Sequence, residues 1–111
     1  MSKTVGTIQA DGGLQVGSSG TTLTQISKGT VTVDVTSLDT VSSADISVTL
    51  TGAATGDLVV LIPPATAMTA GLLVAQAFVS AADTVKVRVY NSSLGTIDEA
   101  SATWTYLLIK S

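Results

Sequence analysis

From Lys28 onward the chain alternates apolar and polar residues with a period of two. Val31, Val33 and Val35 are separated by Thr32 and Asp34, and Ile46, Val48 and Leu50 by Ser47 and Thr49. Successive side chains of a strand point to opposite faces, so each run predicts a half-buried β-strand. The segment between them, Thr36 to Asp45, is polar and turn-prone. Thr51 to Asp57 carries Gly52 and Gly56 and predicts a turn into Leu58-Val59-Val60-Leu61-Ile62, an apolar run stopped by Pro63-Pro64. That run is too short for a helix and reads as a strand covered on both faces. Ala65 to Leu73 contains Gly71 and reads as a loop feeding a strand from Leu73 to Ser80. Val85, Val87 and Val89, alternating with Lys86, Arg88 and Tyr90, predict the second arm of a hairpin turned by Ser80-Ala81-Ala82-Asp83. After a turn over Asn91 to Thr96, Trp104, Tyr106 and Leu108 alternate with Thr105, Leu107 and Ile109. This last strand is apolar on both sides, which predicts cover on both sides and hence a subunit interface. About six strands without sustained helical periodicity predict an all-β fold: a single antiparallel β-sandwich, jelly-roll-like, over residues 27–111.

Residues 1–26 break the pattern. They hold five of the ten glycines, and their large apolar residues are sparse: after Met1, Val5, Ile8, Leu14, Val16, Leu23 and Ile26. Such a segment buries too little surface to offset its own ordering entropy. It predicts an extended N-terminal arm ordered by a packing partner, with Ile8, Leu14 and Val16 laid against another chain by strand addition. Trp104 and Tyr106 complete the expected interface set, with Trp104 read as a core or interface anchor.

Composition sharpens the oligomer expectation. A chain of 111 residues makes one domain and can bury roughly two-thirds of its unfolded surface. Charged residues are 12% of the chain, about half the usual fraction near 25%, and mean hydropathy is +0.53. Thirty-one Ser and Thr residues supply polar surface, but uncharged hydroxyls resist association less well than Lys and Glu. The formal charge is −3, and five basic residues make no phosphate-binding stripe, so nucleic acid is not an expected partner. Leu58 to Ala82 has the length of a membrane span but contains Pro63-Pro64 and Gly71, so no membrane partner is expected either. Met1-Ser2-Lys3 leads into no apolar secretory core, which predicts synthesis in a cytoplasm.

Candidate chemistry is thin. Without Cys or His there is no thiolate or imidazole ligand, and no Ser or Thr has a local sequence signature that supplies a base. The expected reading is a non-enzyme without catalytic, cofactor or metal residues. Asp11, Asp34, Asp39, Asp45, Asp57, Asp83 and the adjacent pair Asp98-Glu99 lack the spacing of a calcium loop, and turn capping is the ordinary role of an Asp in such places. Gly17-Ser18-Ser19-Gly20 lacks the Lys and the strand-to-helix context of a phosphate loop and reads as a turn. Asn91-Ser92-Ser93 fits the N-glycosylation pattern and also reads as a turn. Phe78, Tyr90, Trp104 and Tyr106 could stack on a sugar, but at 4% of the chain they read as core and interface anchors.

One resemblance spans about 80 residues. Gly-Thr-Val-Thr-Val-Asp at 29–34 and Val-Thr-Leu-Thr-Gly-Ala at 48–53 are followed by Gly-Asp-Leu-Val-Val at 56–60 and Pro63-Pro64. Phe-Val-Ser-Ala-Ala-Asp-Thr-Val-Lys-Val-Arg at 78–88, Asn91 and Ile-Asp-Glu-Ala-Ser-Ala-Thr-Trp at 97–104 complete the order. This succession resembles a small β-domain of tailed-phage virions, with Val-Ser-Ala-Ala-Asp-Thr-Val its most specific part. The resemblance implies a capsid decoration (cement) protein, or alternatively a head-fibre or tail subunit. Such a protein would be a homotrimer bound to the major capsid protein at the virion surface, made in a host cytoplasm and free of catalytic residues. From a different class, a carbohydrate-binding module for host attachment would need two or more aromatics exposed on one face.

Overall fold

The computed structural model describes residues 12–64 and 68–111. Six strands follow one another: β1 (Gln25–Val33), β2 (Ser42–Thr49), β3 (Leu58–Ile62), β4 (Leu72–Ala81), β5 (Thr84–Asn91) and β6 (Ala102–Lys110). They form two three-stranded antiparallel sheets, ordered β1-β6-β3 and β2-β5-β4, and no helix occurs among the described residues. Only β4 and β5 are consecutive within one sheet. Every other connection crosses to the opposite sheet, and β5 and β6 each insert between two earlier strands. This crossing gives the expected β-sandwich its jelly-roll character, with six strands instead of eight.

The core lies between the sheets, as the period-two pattern requires. Val85, Val87 and Val89 of β5 are fully buried, opposite Val48, Ile46 and Ala44 on β2. From the other sheet come Val33, Val59, Leu61, Trp104 and Leu108. The strand β3 covers the apolar run at 58–62, but only Val59 and Leu61 face inward; Leu58, Val60 and Ile62 stay exposed within the chain. The expected two-sided cover of this strand is therefore supplied on one side.

Alternation also divides β6. Trp104 is 1% exposed and lies with Ala102, Tyr106 and Leu108 on the inner face. Tyr106 is half-buried, and its ring rests on β1: a Cβ on Gly29 would come within 2.8 Å of the Tyr106 ring. The glycine in the middle of β1 thus leaves room for the aromatic ring directly across the strand pair.

Two polar devices close the ends of the sandwich. At one end, Asp83 takes a left-handed conformation (φ 58°) in the β4–β5 turn. Its carboxylate accepts a hydrogen bond from Gly52 N at 2.8 Å, its carbonyl accepts from Leu50 N at 2.9 Å, and its N–H donates to Ala53 O at 2.9 Å. The hairpin therefore latches the β2–β3 connection. At the opposite end, Asn91 is fully buried; its amide donates to the carbonyls of Leu38, Asp39 and Gly95 at 2.8–3.1 Å. Its Oδ1 accepts from Ser93 N at 2.9 Å and Ser93 Oγ at 2.7 Å. With every polar atom engaged, Asn91 ties the β1–β2 and β5–β6 loops together and has no amide free for a glycan.

Candidate functional site

The two sheets differ on their outer faces, and that difference is the most informative surface feature. In the β1-β6-β3 sheet, register places Ile26, Ile109 and Leu58 in one row and Lys28, Leu107 and Val60 in the next. A third row holds Thr30, Thr105 and Ile62. Ile26, Leu58 and Ile62 are 55–59% exposed and Val60 is 40% exposed, while Leu107 and Ile109 on the central strand are half-buried by their neighbours. Six apolar side chains therefore form one contiguous outward patch carrying a single charge, Lys28, at the β1 edge. In the β2-β5-β4 sheet, the corresponding rows are Ser43, Tyr90 and Leu73; Asp45, Arg88 and Gln76; and Ser47, Lys86 and Phe78. There Arg88 Nε donates to Asp45 Oδ1 at 2.8 Å and Nη2 to Oδ2 at 3.1 Å. The guanidinium hydrogen bonds hold the Asp45 carboxyl below the ordinary carboxylate range.

The arm meets the apolar sheet at its Gln25 end. Leu14 and Leu23 exchange both backbone hydrogen bonds at 2.7 Å, so residues 14–23 double back, and Thr24 N donates to Lys110 O at 2.9 Å to extend the β1–β6 ladder. Leu14 is 50% and Val16 79% exposed; Ile8 lies outside the described residues. Lys110, bonded through its carbonyl to Thr24, is ion-paired with Asp57, whose carboxylate also accepts from Ala54 N at 2.9 Å. The Lys110 bond, then the Ala54 N–H, lower the Asp57 pKa.

Of the expected interface set, the structure gathers Trp104 and Tyr106 into the chain's own interior and leaves Leu14 and Val16 at the surface. The exposed apolar side of β6 is the alternate one, Leu107 and Ile109. Ile26, Leu58, Val60 and Ile62 join them, and the sequence signal for this was the doubling of apolar residues on both parities of two paired strands.

Glu99 accepts from Thr69 N at 3.2 Å and from Thr69 Oγ1. It lines a cavity of about 160 Å³ with Val35, Pro64, Met68 and Trp104. Asp98 is exposed, and no group of three acidic or other metal-binding side chains is assembled among the described residues. Comparison with protein-family models, curated proteins and solved structures finds no match.

Proposed function

We propose that this chain is a non-enzymatic structural subunit, a decoration protein that binds the outer surface of a virion capsid as a homotrimer and stabilises contacts between capsomers. The single observation that carries an assembly role is the nearly charge-free outward patch of Ile26, Leu58, Val60, Ile62, Leu107 and Ile109, on a sandwich whose other outer face sets Asp45, Lys86 and Arg88 among Leu73, Phe78 and Tyr90. A surface of this kind works by burial against protein, at roughly 25 cal/mol per Å² of apolar area removed from water. The ordered segment similarity over residues 29–104 directs the assembly role to a virion. Exposed Leu14 and Val16 give the arm two apolar anchors for the capsid.

The test is co-sedimentation of purified protein with undecorated capsids, followed by particle reconstruction. Density on the outer capsid surface supports the reading; density at the tail or in a fibre moves it to the alternative structural subunit. A glycan-binding reading retains one foothold, because Phe78 and Tyr90 share the outer β2-β5-β4 face, though both are half-buried and Arg88 between them is engaged by Asp45. A glycan array with no hits removes it.

A further inference from the structure

We infer that the outer face of the β1-β6-β3 sheet is where copies of this chain meet one another. The inference deepens the assembly reading above, and it identifies the surface and its occupant without reference to a capsid.

Three observations select another copy of the chain. First, the patch is nearly free of charge. It carries Lys28 at one edge and no acid, so a charged partner finds nothing to pair with, whereas an identical face meets no like-charge repulsion beyond that one rim lysine. Second, the chain's own remaining residues are inadequate. In residues 1–11, which lie outside the described part, only Met1, Val5 and Ile8 are large and apolar, against six apolar positions to be covered.

Third, the dimensions fit. Three strands spaced at about 4.8 Å make a face roughly 14 Å wide, and the five residues over which all three run together, at about 3.3 Å each, make it roughly 17 Å long, a footprint of about 240 Å². A stable two-body interface takes about 800 Å² from each partner, so this face alone is small for a pair, and a closed ring in which each copy also meets its neighbours along the β1 and β3 edges adds area that a face-to-face pair lacks. Three faces turned toward a common axis form a triangular prism in which each sheet lies roughly 4 Å from the axis, close to half of the ~10 Å spacing between packed sheets. One layer of side chains from each copy then fills the interior. Leu107 and Ile109 of the central strand point at the axis, and β1 of one copy borders β3 of the next.

The experiment is sedimentation velocity at micromolar concentration on the full chain and two variants. Wild type should sediment as a multiple of 11.1 kDa. Leu58→Lys combined with Ile62→Lys should sediment as a monomer with an unchanged β-sheet circular dichroism spectrum, since both residues are more than half exposed within the chain. Leu73→Lys, equally exposed at 53% but on the opposite sheet, should keep the wild-type mass. A monomeric wild type, or an assembly split by Leu73→Lys and not by the double variant, overturns the inference. Because the chain has no Cys, Leu107→Cys provides a readout that tolerates any folding defect of the lysine variants. It should form intermolecular disulfides that Leu73→Cys does not, and failure to cross-link overturns the inference equally. Assembly retained with no capsid binding would remove the virion reading and leave this one standing.

Discussion

The two outer faces of the sandwich are built on the same backbone geometry and differ in charge: one carries only Lys28, and the other sets Asp45, Lys86 and Arg88 among Leu73, Phe78 and Tyr90. On β2-β5-β4 the outward positions of the central strand are Lys86, Arg88 and Tyr90; on β1-β6-β3 they are Thr103, Thr105, Leu107 and Ile109. The inner faces are alike in being apolar, because both contribute to one core. What distinguishes the sheets is therefore set by the residues that folding does not need. A face that exposes Leu58 and Ile62 gains nothing from them within the isolated chain, and their role is read from what would cover them.

Removing the support beneath both faces has the largest effect. Trp104 is 1% exposed between the sheets, and Trp104→Ala should cost about 3–5 kcal/mol in a denaturant melt through lost transfer energy and the cavity left behind. A change below about 1 kcal/mol would mean that Trp104 is not the anchor of the β1-β6-β3 sheet. Asn91→Ala comes next. It removes the amide bonds accepted by the carbonyls of Leu38, Asp39 and Gly95, each of which keeps one other donor (Ile97 N, Ser42 Oγ and Ser93 Oγ), for an expected loss of about 1–3 kcal/mol, and amide exchange should rise in the 38–40 and 92–96 loops before it rises in β6.

Acid sharpens the comparison further, because each sheet has one ion pair: Asp45–Arg88 on the outer face of β2-β5-β4, and Asp57–Lys110 on the inward side at one end of β1-β6-β3. Asp57 and Asp45 both have folded-state pKa values lowered by their cationic partners, Lys110 and Arg88. On acidification the unfolded chain takes up protons first. The stability these pairs contribute is thus complete above the ordinary carboxylate range and is lost as pH falls through the lowered folded values. Asp57 and Lys110 side chains are 12% and 20% exposed, against 32% and 46% for Asp45 and Arg88, so solvent screens the Asp45–Arg88 pair more. Melting temperature followed from pH 6 to pH 2 should show an acid decline that Lys110→Met reduces more than Arg88→Met does. Equal reductions would contradict the difference in shelter. The smallest effect is expected at neutral pH from Arg88→Ala, which should leave the melting temperature nearly unchanged and the assembly intact, since an exposed ion pair contributes little.

Much of the fold was legible in the sequence because strands announce themselves by period. The run at 58–62 is bounded by Asp57 and Pro63 and coincides with β3, and the alternating valines at 85–89 mark the buried face of β5. The parity of β6 was not legible. Trp104, Tyr106 and Leu108 stand on one side and Leu107 and Ile109 on the other, and alternation alone cannot rank two apolar sides. Long-range register decides it, through Gly29 and Val31 lying opposite Tyr106 and Trp104. Asn91 was readable as a turn residue, but its role depends on carbonyls more than 50 positions away at Leu38 and Asp39. Val41, exposed and β-branched, adopts a φ of 51° that residue type argues against, and nothing local foretells it.

The central claim is that the nearly charge-free β1-β6-β3 face meets its own kind while the charged β2-β5-β4 face does not. Isotope-filtered NMR on a mixture of labelled and unlabelled protein tests it most directly. The account predicts intermolecular methyl contacts at Ile26, Leu58, Val60, Leu107 and Ile109 and none at Leu73. Intermolecular contacts centred on Leu73, or none at all from the β1-β6-β3 methyls, would contradict it.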